Sequence, residues 1–263
     1  MKKTSLFLFA LAFSMMLVLS INYNKRVSER ILPVINSTIL NQLPIYCVQT
    51  EEPKIALTFD AAWGNEDTKQ ILDILEKHDV KVTFFMTGGW VSSYPDDVKA
   101  ILEGGHDLGN HSENHKNMSQ LSDAEKTEEL MSVHNKVKEL TGYEMFLFRP
   151  PYGDYDDAVV ENAKQNGYYT IQWDVDSLDW KDYGVDAIID TVCKHKHLGN
   201  GSIILCHNGA KYTAQALDAM ITNLKEQGYE FVPLSELIYR ENYEMNHEGR
   251  QIPIIQEDTD SMK

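Results

Sequence analysis

Lys54-Ile55-Ala56-Leu57-Thr58-Phe59-Asp60 is an apolar, strand-like run that follows Pro53 and ends on a carboxylate. Thr68 to His78 comes next with Ile71, Leu72 and Leu75 at helical spacing, and it closes on polar Lys77-His78-Asp79. The same alternation continues down the chain. Lys81 to Met86, Met145 to Phe148, Tyr168 to Trp173, Ser202 to Cys206 and Glu230 to Val232 are β-rich runs. Between them lie helical stretches: Ser122 with Glu125 forms a capping box that opens a helix through Leu140, stopped before Gly142. Asp156 to Asn166, Val185 to His197 and Ala214 to Gln227 each run up to or just short of a glycine. Strands alternating with helices of this length imply βαβ crossovers and a mainly parallel sheet. About seven such units, with a short strand near Asp107 to Gly109, suit a distorted α/β barrel, closed or partly closed.

At 263 residues the chain can bury a full core as a single domain. It carries 24 Lys plus Arg against 40 Asp plus Glu, a net charge of −16, which argues against a nucleic-acid or anionic-lipid partner because phosphate binding needs a basic face. Lys2 and Lys3 precede an apolar run from Leu6 to Ile21. That run is about as short as a spanning helix can be, roughly 17 residues being the lower limit. No A-x-A-like site follows it, so residues 1–24 read as an uncleaved signal-anchor ahead of a cleaved signal peptide. Residues 25–44 read as a stalk, 45–240 as the catalytic domain and 241–263 as a loose polar tail. The expectation is a monomer on the cell membrane, single-pass with its domain outside, or else secreted. Cys47, Cys193 and Cys206 give no disulfide framework. Cys206 and His207 are strand neighbours and point to opposite faces, so they make a poor nucleophile–base pair.

Five short polar segments each follow an apolar run: Thr58-Phe59-Asp60, His111-Ser112-Glu113-Asn114-His115, Arg149-Pro150-Pro151-Tyr152-Gly153, Asp176-Ser177-Leu178-Asp179-Trp180 and Leu205-Cys206-His207. Two histidines four apart can meet on one side of a helical turn and share a metal ion, though alone that spacing is weak. Any one residue has an ordinary reading: Asp60 as a helix cap, Arg149 as a surface ion pair, Trp180 as core. In parallel α/β architectures, however, functional groups gather at the carboxyl ends of strands, and all five segments fall there.

From about Lys54 to Leu237 the sequence resembles the polysaccharide deacetylases of the NodB-homology type, carbohydrate esterase family four, with the motifs in the family's order. The first motif, Thr58-Phe59-Asp60-Ala61-Ala62-Trp63-Gly64, together with Leu43-Pro44-Ile45-Tyr46 and a short anchor, is similar to the branch associated with spore-forming Gram-positive bacteria. The resemblance implies removal of acetyl groups from N-acetylated sugars with a divalent metal, zinc first, cobalt or manganese as alternatives. It implies Asp60 as the base that deprotonates the attacking water, and His111 and His115 as the metal-binding pair. By the same resemblance Arg149 matches the guanidinium that orients Asp60, and Tyr152 the residue whose backbone N–H meets the oxyanion. His207 matches the acid that protonates the leaving amine, and Asp179 the carboxylate that raises its pKa. Trp180 and Leu205 would wall the acetyl pocket, with Tyr152 beside the substrate.

One departure stands out. The family's first motif has two consecutive aspartates, the second a metal ligand, and here position 61 is alanine. Two histidines hold zinc more weakly than the three protein ligands usual in catalytic sites, so either Asp60, Glu66, Asp67 or water completes the shell, or the ion is weakly held, or none binds. The leading expectation is a peptidoglycan N-deacetylase in the cell wall or spore cortex. A deacetylase of chitin-like oligomers or O-acetyl esters shares the same motifs. A catalytically silent glycan-binding or assembly protein is the reading that Ala61 sustains.

Overall fold

Lys54–Ala61 is the eight-residue strand β2, and it lies inside a parallel sheet. The computed structural model describes residues 43–254. Seven strands run in the spatial order β6 (Tyr169–Thr170), β5 (Leu147–Phe148), β4 (Asp107–Asn110), β3 (Thr83–Met86), β2, β8 (Ile203–Asn208) and β7 (Val175–Asp176). All these pairings are parallel, and β9 (Glu230–Phe231) adds to the start of β2. The sheet is a curled, partly open barrel, as the alternation of strand and helix predicts.

Strand alternation divides the core. Ile55, Leu57, Phe59 and Ala61 join the larger cluster on the helix side, with Ile71 and Leu75 of α1 (Thr68–Lys77) and Leu217 and Ile221 of α7 (Thr213–Glu226). Phe59 and Phe84 stack there at 5.1 Å between centroids. Ala56 faces the other way, into a smaller cluster with Phe85, Leu147, Ile203 and Leu234. Thr58 sits between two apolar neighbours because its Oγ1 donates to the Ile204 carbonyl at 2.6 Å.

Several boundaries differ from the sequence reading. Two helices, α2 (Gly88–Ser93) and α3 (Pro95–Glu103), fill a stretch the periodicity left blank. The capped helix is α4, Asp123–Thr141, ended by Gly142 at φ 76. Helix α5 is Asp157–Gln165, and α6 (Val185–Cys193) stops short of His197. A one-turn α8 spans Leu234–Leu237. The sequence shows one run from Tyr168 to Trp173, whereas only Tyr169–Thr170 of it is strand, and β7 follows the run at the other end of the strand order.

The end of the domain is a correction. Residues 241–254 are not a loose tail: β10 (Tyr243–Met245) and β11 (Arg250–Pro253) form an antiparallel pair, and β11 runs parallel to β1 (Cys47–Val48). Gln251 is fully buried, its amide donating to the Tyr239 carbonyl and accepting from the Tyr239 N–H. The partner strand lies some two hundred residues away in sequence, so no local pattern announces the pairing. At the other end Ile45 is tied to Thr170 and Gln172 by backbone hydrogen bonds of 2.8 and 2.7 Å. Among the described residues no helix is long and apolar enough to cross a membrane. The apolar run 6–21, the stalk up to residue 42 and residues 255–263 lie outside the described residues.

Candidate active site

A cleft of about 740 Å³ opens at the carboxyl ends of the strands, lined by Asp60, His111, His115, Tyr152, Trp180, Leu205 and His207 among others. Seven of the nine residues singled out from the sequence line it. The other two, Arg149 and Asp179, are fully buried directly behind Asp60 and His207. Register puts Asp60 and His207 side by side, because β2 and β8 are parallel neighbours with the two residues opposite each other.

Asp60 is held by Arg149, whose Nη1 donates to Oδ1 at 2.7 Å while Nη2 donates to the Gln172 carbonyl at 3.2 Å. The guanidinium lies 4.2 Å over the Phe85 ring. Burial alone would raise the Asp60 carboxyl, but Arg149, His111 and His207 outweigh it and hold the group below its ordinary value. Asp60 is therefore ionised near neutrality.

His207 has the opposite bias. Its backbone N–H and its Nδ1 each donate to Asp179 at 2.7 Å, and Thr213 Oγ1 donates to the same carboxylate at 2.7 Å. Burial pulls the imidazole down, yet the hydrogen bond and charge of Asp179 win and raise its pKa. The two groups are thus pushed apart in one cleft, a pattern that suits an acid–base pair. Asp179 reaches His207 because its segment follows β7, next to β8, and not β6 at the other edge.

His111 and His115 come together with ring centroids 4.9 Å apart, but through a loop and not a helical turn. Ser112 and His115 have φ of 66 and 54. Asn110 Oδ1 accepts from the Ser112 N–H, Ser112 Oγ accepts from the His115 N–H, and Glu129 takes both N–H groups of Asn114. His111 Nδ1 donates to the Arg149 carbonyl at 2.7 Å, which leaves Nε2 as a bare acceptor 3.5 Å from Asp60 Oδ2. Burial lowers both imidazoles, His115 to about 4, and His115 Nδ1 is buried without a partner.

Two neutral imidazoles, one with an orphaned nitrogen, are a donor pair suited to a divalent ion. No group of three or more His, Cys, Asp or Glu among the described residues is arranged to hold one. Ala61 is buried in the helix-side cluster and does not line the cleft. Glu66 and Asp67 do not complete the shell: Glu66 is exposed and turned to the Asn65 N–H, and Asp67 accepts from the Gly209 N–H at 2.9 Å. The site fits an ion held by fewer protein ligands than usual.

Tyr152 has φ 61 inside the turn Pro151–Gly153, which exposes its ring while the Gln172 amide braces the Gly153 carbonyl. Asp174, two residues before the Asp176–Trp180 segment, does not line the cleft. It anchors the start of β8 through the Ile203 N–H and Ser202, and burial raises its pKa to about 6. The cysteines are free and buried, and burial pushes the Cys206 thiol well above its ordinary value.

A family model described as polysaccharide deacetylase matches residues 48–171. The peptidoglycan-N-acetylmuramic acid deacetylase PdaA of Bacillus subtilis is 37% identical over 209 residues, 78% of this chain and 79% of that protein. The chain belongs to the polysaccharide deacetylase family. A peptidoglycan-N-acetylglucosamine deacetylase of Bacillus cereus is 40% identical over 196 residues, 73% of this deacetylase-family chain and 91% of that enzyme. A solved structure described as a CE4 family pseudoenzyme from Bacillus anthracis superposes with a TM-score of 0.72 at 36% identity, over 81% of this chain and 72% of that one. The family is thus established, while its members with solved structures include both enzymes and a pseudoenzyme.

Sequence reasoning missed three contributors. Thr213 steadies Asp179, Gln172 receives Arg149 and braces the Tyr152 turn, and Phe85 floors the guanidinium. None sits in a motif, and each acts through a contact more than fifteen residues away.

Proposed function

We propose that this deacetylase-family chain removes acetyl groups from N-acetylated sugars of peptidoglycan. The observation that carries the reading is the pair of oppositely biased ion pairs, Asp60–Arg149 and His207–Asp179, facing one cleft from adjacent strands. Asp60, kept ionised by Arg149, takes a proton from the water that attacks the acetamide carbon. The Tyr152 backbone N–H donates to the carbonyl oxygen as it gains charge. His207, kept protonated by Asp179, gives its proton to the amine nitrogen as the C–N bond breaks. His111 and His115 would hold a divalent ion, which when bound acidifies water and polarises the carbonyl. Trp180 and Leu205 exclude water around the acetyl methyl. The apolar run 6–21 would anchor the domain outside the membrane as a monomer, and a role in sporulation belongs to the same reading. The test is acetate release from acetylated peptidoglycan with zinc and with chelator. A bell-shaped dependence on pH, abolished by Asp60→Asn or His207→Ala, supports it, and near-normal turnover by either variant overturns the assigned role.

A second reading, a catalytically silent glycan-binding protein, is favoured by Ala61 and by the likeness to a pseudoenzyme. Metal content and acetate release of wild type beside Ala61→Asp separate the two, with melting temperature recorded because Ala61 packs in the core. Activity only in the variant establishes the silent reading.

A further inference from the structure

Trp63 has no part in the chemistry above, yet it lines the cleft and is 64% exposed. Its loop is not free to move. Its carbonyl presses on Gly209, where a Cβ would come within 2.5 Å of it. The next carbonyl, of Gly64, accepts from Trp90 Nε1 at 2.7 Å and from Asn208 Nδ2 at 3.5 Å. The indole meets the edge of His115 at 4.9 Å between centroids, and His115 meets Tyr152 at 4.5 Å, so three rings stand in a row along the cleft wall.

An indole left open to water forfeits burial that a looser loop would recover. A braced backbone holding such a ring outward is a preorganised contact surface, because little freedom remains to be lost when something lands on it. Its flat apolar face suits the C–H face of a pyranose, and the polar rim of the cleft suits the hydroxyls. The exposure also places the sugar. Asp60, His111, Arg149 and Asp179 are buried at the floor, so an acetamide that reaches Asp60 belongs to a deeper residue than one resting on Trp63.

We propose that Trp63 is a stacking platform for a second sugar, so that the cleft takes at least two consecutive residues of a glycan strand. This rests on the glycan reading above. The test measures affinity for peptide-free glycan fragments of acetylated peptidoglycan, di-, tetra- and hexasaccharide, by titration calorimetry with chelator and again with zinc. Wild type should tighten with length, and Trp63→Ala should lose that gain by about fivefold or more, as truncated interface tryptophans do. Trp63→Tyr should keep most of it. A Trp63→Ala protein that gains from length as much as wild type overturns the platform, as does a wild type that binds fragments with no gain from length. A wild type that binds none of them, with metal or without, removes the glycan reading itself.

Discussion

Arg149→Met should destabilise the domain by about 3–5 kcal/mol near neutral pH, the cost of leaving a buried charge without its partner. The structure sets that size. Arg149 is fully buried, its loss removes the 2.7 Å bond to Asp60 and the donor to the Gln172 carbonyl, and among the described residues no other Lys or Arg pairs with Asp60. Methionine fills the space over Phe85 without restoring the charge. The pH dependence should change sign. In wild type the Asp60 pKa is lowered, so its stabilisation is present above the unfolded value of about 3.9 and is lost as pH falls through the folded pKa. Without Arg149, burial dominates and the folded pKa rises above the unfolded one. The carboxyl then costs stability as pH climbs between the two, and the variant is penalised less at about pH 5 than at pH 8. Urea unfolding of wild type, Arg149→Met, Asp60→Asn and the double variant at both pH values measures this. The double variant should recover much of the loss, as coupled partners do. A loss under about 1 kcal/mol, additive single losses, or a penalty that grows at low pH refutes the buried-pair account.

Asp179→Asn should lower the His207 pKa, because burial remains and only the weaker pull of Asp60 and Asp176 opposes it. NMR titration of His207 reads the change. The stability that wild type holds below the unfolded histidine pKa, and loses as pH rises through the folded one, should vanish with it. Thr213→Val removes a buried donor to the same carboxylate and should cost about 1.5–3 kcal/mol in urea unfolding. Gln251→Ala leaves the Tyr239 N–H and carbonyl unpaired and should cost about 1–3 kcal/mol, with hydrogen exchange rising first across residues 243–253.

The sequence by itself determined the class of fold and gathered the residues of the candidate site. Runs such as Lys54–Phe59 and the helices between them carry their periodicity locally, and a parallel α/β sheet sends the residue after each strand to the same rim. That is why Asp60, His111, Arg149 and His207 were recognisable as one site before any distance was known. Ala61 was legible too, as a missing ligand.

Tertiary structure decided what depends on pairing across the chain. Which edge received Val175–Asp176 was invisible in sequence, yet it sets Asp179 against His207. The histidine pair meets through a loop whose shape comes from Asn110, Ser112 and Glu129, not from the helical spacing that first suggested it. Alternation turns Ala61 into the helix-side core, while in the loop beyond it Glu66 turns to the Asn65 N–H and Asp67 to the Gly209 N–H. The strands at 243–253 exist because a distant edge at Cys47–Val48 offers unpaired N–H and C=O groups. Local pattern fixes which residues a strand or helix contains. Only the register and order of strands fix which side chains come within hydrogen-bonding reach, because those contacts close over separations that no short window of sequence spans.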